Sequence, residues 1–227
     1  PYRRQRQMCI RDSLYTDYFK QIGDHYFKVM GGFNAELYKR TNLSGQRDEL
    51  ITPDVPTLNT GTTEQKANGG YSHWANAGFF GRINYNYKER YLLEINGRYD
   101  GSSRFIGDKR WGFFPSFSAG WNIAREPFME SFAEKINMGS LKLRASWGQL
   151  GNTNTNDAWY PFYQTMPVGS NYGWLVNGER PNYATNPGIV SSKKTWETVE
   201  TWDVGLDWSF FNNRLSGSFD YFVRYTY

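Results

Sequence analysis

The chain alternates apolar and polar side chains over several stretches, and the clearest of these predicts a β-hairpin. Two runs, residues 79–87 and 91–100, carry mostly apolar residues at odd positions and mostly polar residues at even positions. Because the side chains of a strand point alternately to its two faces, each run is a strand with one apolar and one charged face. Only Lys88–Arg90 separates the runs, so we predict that they pair across a tight turn.

The same alternation recurs along the chain and predicts an all-β fold, an antiparallel up-and-down sheet of about seven long strands. The other predicted strands are residues 25–39, 111–123, 141–148, 202–210 and 215–224. One helical turn is predicted over residues 130–135. Pro115 inside a strand suggests a bulge or a strand end. Long and short connections mostly alternate along the sheet, which is typical of outer-membrane barrels.

The pattern alone leaves two architectures open, because a soluble β-sandwich alternates as well. The predicted strands exceed the length of about 5–6 residues that is usual in soluble proteins. Tyr and Trp collect near strand ends, as at Tyr87 and Tyr91, where a barrel has its aromatic girdle. The opposite face carries Arg82, Glu94 and Arg98, which suits a wet lumen. We therefore favour an incomplete piece of a transmembrane β-barrel over the sandwich.

Composition agrees with a turn-rich all-β chain and excludes several classes of function. Aromatic residues make up 19% of the chain, with 17 Tyr, 16 Phe and 9 Trp, and there are 23 Gly. The net charge of +4 is too dispersed to indicate nucleic-acid binding. One Cys and two His argue against a disulfide framework or a Cys/His metal site. We expect no metal and no cofactor.

The first thirteen residues follow none of the downstream pattern. The segment PYRRQRQMCIRDS resembles translated sequencing-adapter sequence. We interpret residues 1–13, which include Cys9, as a non-native or disordered leader. Residues 14–227 are then a partial barrel.

No set of residues in the sequence has the spacing of a catalytic centre, so we expect no enzymatic activity. Glu94 and Asp100 are the nearest approach to a carboxylate pair, but charges on a lumen-facing strand face are expected in a barrel. The absence of a carboxylate constellation also disfavours a glycoside hydrolase.

The long predicted loop over residues 150–194 is the better candidate for binding. Structureless loops of this length are uncommon and usually functional. Its aromatic rings offer flat contact area to a sugar or a partner protein at low entropic cost, although they can also pack among themselves. The candidate substrate- or partner-binding residues are Trp159, Tyr160, Tyr163, Tyr172 and Trp174.

One motif is specific at the level of a family. The segment RYDGSSRF at residues 98–105, followed by a Trp-Gly pair and by Phe-Pro-Ser, resembles the SusC/RagA family of TonB-linked outer-membrane transporters of the Bacteroidetes. The similarity is strong over residues 71–227 and weak over residues 25–40. The signature residues are Arg98, Asp100, Gly101, Ser102, Ser103, Arg104, Phe105, Trp111, Gly112, Pro115 and Ser116.

The resemblance implies a barrel of about 22 strands with a plugged lumen in the outer membrane of a Gram-negative cell. It also implies contact with outer-membrane lipid, a SusD-like lipoprotein partner and uptake of oligosaccharides or peptides. Energy would come from TonB through a plug that lies outside this chain. The alternatives are a siderophore- or cobalamin-type receptor of the same architecture, which the DGSSRF motif counts against, and a soluble carbohydrate-binding β-sandwich.

Overall fold

A computed structural model describes residues 2–153, 160–169, 173–190 and 194–227, and most of them lie in one antiparallel sheet. Its eight strands are β1 (Tyr2–Ile22), β2 (His25–Gln46), β3 (Lys66–Tyr87), β4 (Tyr91–Ser102), β5 (Trp111–Asn122), β6 (Ser140–Asn152), β9 (Glu197–Phe210) and β10 (Leu215–Thr226). Two further short strands, β7 (Val168–Gly169) and β8 (Tyr183–Ala184), pair with each other in a separate ribbon. One α-helix, α1, spans Pro127–Lys135. Short 3-10 turns are Leu58–Thr60, Gly107–Arg110 and Ile123–Arg125.

The strands of the sheet are neighbours in the order in which they occur along the chain. The order is β1-β2-β3-β4-β5-β6-β9-β10, and every adjacent pair is antiparallel. The residues between β6 and β9, which include the small β7–β8 ribbon, leave the sheet and return to it. The predicted up-and-down antiparallel sheet is therefore confirmed.

The sheet has eight strands where about seven were predicted, because residues 2–22 form an additional strand, β1, that pairs with β2 along its whole length. The alternation in this stretch is hard to recognise, because the apolar residues Ile10 and Leu14 lie on the same strand face as the polar residues Asp12, Thr16 and Lys20. The interpretation of residues 1–13 as a non-native or disordered leader stays a prediction.

The strand register places apolar side chains on one face across the whole sheet. Directly paired residues lie on the same face, and one row of such pairs crosses all eight strands. That row is Tyr18, Val29, Ile83, Ile95, Phe117, Trp147, Trp202 and Val223. The adjacent row, on the opposite face, is Asp17, Met30, Arg82, Asn96, Ser116, Gly148, Thr201 and Arg224. We call these the apolar face and the charged face.

No second layer of structure covers the apolar face in the described part of the chain. Leu93 is 42% exposed, Leu143 40% and Trp202 53%, whereas a sandwich would bury such residues between two sheets. Among the described hydrophobic residues, only Phe105 and Phe114 are buried. The sandwich alternative is therefore wrong. None of the helices in the described residues has the length and apolar character needed to cross a membrane.

The two ends of the sheet differ. At the short-turn end, turns of a few residues join β1 to β2, β3 to β4 and β9 to β10. The longest connections, residues 47–65 and 153–196, lie at the opposite, long-loop end. The β5–β6 connection is at the short-turn end and contains α1, which begins with Pro127 and is longer than the single predicted turn.

Strands β1, β2 and β3 continue well beyond β4 at the long-loop end. The pairing of β2 with β3 runs from His25–Tyr87 to Gln46–Lys66. The pairing of β3 with β4 stops at Asn76 and Ser102. Residues 66–75 of β3 therefore have β2 as their neighbour on one side and no β4 residue on the other.

Pro115 lies in the middle of β5 without a bulge, because it pairs in continuous register with Gly97 of β4. The pairing of β5 with β6 begins one residue later, at Ser116 and Gly148. Pro115 therefore stands where the ladder to β6 ends, a position at which a residue without an N–H is tolerated.

Candidate functional site

The charged face is held together by ion pairs and hydrogen bonds between neighbouring strands. Arg144 of β6 donates to both carboxylate oxygens of Asp207 on β9, at 2.7 and 2.9 Å, and to Asp220 on β10 at 2.9 Å. A guanidinium that binds a carboxylate through two nitrogens is fixed in orientation as well as in charge. These three side chains therefore join three strands on the side opposite the apolar face.

A second network lies on β3 and β4 around Glu94. Asn84 and Asn96 donate to its carboxylate at 2.5 and 2.8 Å, and Arg82 lies 3.7 Å away. Arg82 also donates to the side-chain oxygen of Asn96 at 2.6 Å. The carboxylate thus accepts two hydrogen bonds and lies beside a guanidinium, so it belongs to a network that joins β3 to β4.

The signature begins on this charged face. Arg98 donates twice to Asp100, at 2.9 and 3.0 Å, and once to Asn34 on β2 at 3.3 Å. Its guanidinium also lies 5.6 Å from the ring centroid of Phe80. The Asp100 carboxylate lies directly over Gly78, where a Cβ would collide with it. Glycine at this position lets the Arg98–Asp100 pair lie against the sheet.

The two serines of the signature close the β4–β5 turn by bonding to backbone. Ser103 donates its N–H to the carbonyl of Ala75 at 2.9 Å, and its hydroxyl accepts the N–H of Ala75 at 3.0 Å. Ser102 is fully buried, and its hydroxyl accepts the N–H of Arg104 at 3.4 Å. The turn is thereby attached to β3 after regular β3–β4 pairing has ended.

Phe105 and Phe114 form a small buried cluster at the long-loop end with Trp196, a residue just before β9. The ring centroid of Trp196 is 5.5 Å from that of Phe105 and 5.3 Å from that of Phe114. The ring of Phe114 lies over Gly112 and Gly151, where any Cβ would collide with it. Signature residues therefore help to hold the end of the long loop against the sheet.

Trp196 is a residue that the sequence reasoning did not select. Besides its ring contacts, its indole N–H donates to the carbonyl of Arg110 at 3.0 Å. Thr195 beside it donates to the carbonyl of Lys109 at 3.4 Å. No periodicity relates a loop residue to a distant turn, so the sequence pattern carried no signal for this contact.

Arg104 and Trp111 extend the signature to both sides of the sheet. The guanidinium of Arg104 lies 5.1 Å from the ring centroid of Trp74 and donates to the carbonyl of Thr153 at 3.2 Å. Trp111 is on the apolar face, stacked on Tyr99 with ring centroids 5.0 Å apart. The signature residues thus form one structural unit around the β4–β5 turn.

The aromatic loop residues are only partly brought together in the described part of the chain. Tyr160 donates its hydroxyl to the carbonyl of His73 at 2.8 Å, and its ring contacts Phe162 and Tyr163. Tyr163 is 64% exposed and Trp174 is 73% exposed, so both rings remain accessible. Trp159 and Tyr172 lie outside the described residues. The role of all five candidate aromatic residues in binding a substrate or a partner stays a prediction.

The short-turn end carries an acid that the sequence reasoning also missed. Glu126 is 7% exposed, and its carboxylate accepts the indole N–H of Trp121 at 2.9 Å and the hydroxyl of Tyr91. Arg90 lies 3.9 Å away. The hydrogen bond from Trp121, followed by that from Tyr91, lowers the pKa of Glu126. This carboxylate therefore attaches the start of α1 to the sheet.

The described residues contain no group of His, Cys, Asp and Glu that could hold a metal ion. The chain matches the family model for the TonB dependent receptor-like β-barrel over residues 4–227. It belongs to that family. The family consists of receptors and transporters rather than enzymes, and its barrels lie in the outer membrane. In this setting the apolar face lies toward lipid and the charged face toward the barrel interior.

Relatives of known name agree with this assignment. The chain is 34% identical to the TonB-dependent receptor SusC of Bacteroides thetaiotaomicron over 94% of its own length and 21% of that protein. It is 36% identical to the TonB-dependent receptor P39 of Formosa agariphila over 93% of its length and 20% of that protein. The chain thus spans about a fifth of the length of the curated relatives that it matches.

Solved structures share the fold. The sheet superposes on the RagAB peptide transporter with a TM-score of 0.84, at 23% identity, over 99% of this chain and 24% of that one. The RagAB peptide importer in its open-open state gives a TM-score of 0.80 at 24% identity, over 99% of this chain and 24% of that one. The expected SusC/RagA resemblance and the partial barrel wall are both confirmed.

Proposed function

We propose that this sheet is part of the wall of an outer-membrane active transporter that imports glycans or peptides. The transporter would work with a SusD-like lipoprotein and take its energy from TonB. The observation that carries the proposal is the division of the sheet into two faces. A barrel that admits hydrophilic cargo through lipid needs a continuous apolar exterior backed by a polar interior.

The named relatives support the class of cargo. SusC is a TonB-dependent receptor, and RagAB is a peptide transporter. The interior face of this sheet bears both signs of charge, as in the Arg144 pairs with Asp207 and Asp220. Such a face offers hydrogen-bond donors and acceptors to a polar cargo without selecting for one sign of charge. We find no observation that favours a siderophore or cobalamin.

The sheet can act only within a closed barrel. In the described residues, β1 and β10 each have one neighbouring strand, so one edge of each is unpaired. Unpaired N–H and C=O groups are costly in hydrocarbon, where no water replaces the missing partner. Further strands must therefore complete the wall. We propose that transport is a property of that complete barrel.

The long loop would supply the contacts to cargo or lipoprotein at the mouth of the barrel. Trp196, Phe105 and Phe114 hold one end of the loop, and Arg104 holds the other end through the carbonyl of Thr153. Between these anchors stand the accessible rings of Tyr163 and Trp174. Aromatic rings presented on an anchored loop bind sugars or peptides at a low entropic cost.

Uptake by cells tests the proposal. Cells that express the complete transporter should accumulate a fluorescent oligosaccharide or a mixed peptide library, and deletion of TonB or of the SusD-like partner should abolish accumulation. Cells lacking the transporter are the control. Accumulation of ferric siderophores or cobalamin in place of these cargoes would instead support the alternative receptor. A conducting pore formed by this chain alone would contradict the barrel-wall role.

A further inference from the structure

Glu126 places the start of α1 on the lipid side of the sheet. Its two hydrogen-bond donors, Trp121 and Tyr91, belong to the apolar face and are directly paired with each other across β5 and β4. The carboxylate immediately precedes Pro127, the first residue of α1. The helix therefore leaves the sheet on the side that faces lipid, next to the aromatic residues of the short-turn end.

This corner has the residue composition of a membrane interface. The row of directly paired residues at this level of the apolar face is His25, Tyr87, Tyr91, Trp121, Leu143, Leu206 and Phe219. Aromatic residues with one polar end favour the boundary between hydrocarbon and headgroups. Along β4, the ten residue-to-residue steps from Tyr91 to Gly101 cover about 33 Å of strand, or about 25 Å of height at the usual tilt, which matches the apolar band of a barrel.

Helix α1 exposes two phenylalanines on one side. Phe128 and Phe132 are 67% and 52% exposed, and their spacing of four places them together on the helix surface. The helix is amphipathic, since Glu130 and Glu134 lie on the opposite side. Lys135 comes seven residues, or about two turns, after Phe128, so its charge lies beside the phenylalanines. Exposed Phe pairs flanked by a cation are typical of helices that lie in a membrane surface.

We infer that α1 is an interfacial helix that inserts Phe128 and Phe132 into the leaflet at the short-turn end of the barrel. The occupant of this apolar helix face is the phospholipid bilayer itself, which continues from the apolar face of the sheet. Lys135 extends toward headgroup phosphates, as long cationic side chains do at this depth. The inference depends on the outer-membrane location of the barrel and not on which cargo it imports.

A label on the helix tests the inference. The complete transporter, with Cys9 and any other cysteine replaced by serine, carries a polarity-sensitive fluorophore at Phe128→Cys, Phe132→Cys or, as a control, Glu134→Cys. Each protein is placed in phosphatidylethanolamine–phosphatidylglycerol vesicles that contain a phospholipid spin-labelled near the headgroup. We expect several-fold stronger quenching at positions 128 and 132 than at position 134, together with a shift of emission to shorter wavelength.

Equal quenching at all three positions would overturn the inference. A shift to shorter wavelength without quenching by the lipid label would also overturn it, because another part of the transporter or a protein partner would then cover the helix. The unmodified chain gives an independent measurement. A phospholipid with a diazirine high on its acyl chain should crosslink to Phe128 or Phe132, and adducts found only on Glu130 or Glu134 would contradict the insertion.

Discussion

Trp111 covers Gly101 across the β4–β5 pair, with its indole ring about 2.7 Å from the position that a glycine Cβ would occupy. The same ring stacks on Tyr99 at an interplanar angle of 14°. Two signature residues are thus coupled directly. The glycine is required by the close approach of the ring and not by an unusual backbone conformation.

Replacing Gly101 with alanine should therefore destabilise the barrel by about 1–3 kcal/mol, since the ring must move away from its stacked position. The matched control is Gly81→Ala, on the same face, where a Cβ would be 3.6 Å from its nearest neighbour, the carbonyl oxygen of Met30. Urea unfolding of the complete barrel in vesicles measures both. A loss of stability at position 81 equal to that at position 101 would contradict the role assigned to Trp111.

The assignment of the two faces predicts different responses to a new charge. Ile95 lies on the apolar face near the middle of the span from Tyr91 to Gly101, so Ile95→Arg should cost about 2–4 kcal/mol in a lipid-embedded barrel. Ser118 lies on the charged face directly opposite Glu94. Ser118→Arg should therefore cost little. Unfolding midpoints of both variants in vesicles give the comparison, and equal losses would show that the faces are wrongly assigned.

Adjacent phenylalanines on β5 provide a second test of the same division at the long-loop end. Phe114 is 7% exposed and packs on Trp196, whereas Phe113 is 61% exposed on the apolar face. Phe114→Ala should cost about 3–5 kcal/mol, the usual penalty for a buried phenylalanine. It should also release the end of the long loop, which limited proteolysis would detect. Phe113→Ala should neither reduce stability by this amount nor release the loop. If proteases cleaved the loop equally in both variants, Phe114 would not be its anchor.

The buried acid at the short-turn end predicts a dependence on pH. Hydrogen bonds from Trp121 and Tyr91 lower the pKa of Glu126 below its ordinary value of 4.5. A lowered folded-state pKa means that the stabilisation is complete above the unfolded-state pKa and is lost as the pH falls through the folded-state pKa. Glu126→Gln should therefore be less stable than the parent at neutral pH, with the difference disappearing in acid. Hydrogen exchange in α1 across this pH range measures it, and a difference that persists in acid would refute the prediction.

The sequence predicted the sheet well because the period of two is nearly unbroken in β3, β4 and β9. Apolar residues such as Ile83 and Leu93 fall on one face by their position alone, and short turns leave few possible registers. Strand β1 was missed for the converse reason, since Asp12 and Lys20 interrupt its apolar positions. The pattern that identifies a strand is lost when one face mixes charged with apolar side chains.

The candidate site was less predictable because its contacts join residues that are distant in sequence. Arg98 and Asp100 were selected with the signature, but the contact of Trp196 with Phe114 depends on where a long loop returns. The attachment of Glu126 to Trp121 likewise depends on the direction in which the chain leaves β5. Such contacts follow from tertiary packing, about which local periodicity carries no information.

The extension of β1, β2 and β3 past β4 gives the sheet an uneven edge at the long-loop end. Residues 66–75 cover about 33 Å of strand, or roughly 25 Å of height above the end of the β3–β4 pairing at the usual tilt. Three strands of hydrogen-bonded backbone therefore stand above the level at which the pairing of β3 with β4 ends. The rim of the wall thus steps down at the boundary between β3 and β4.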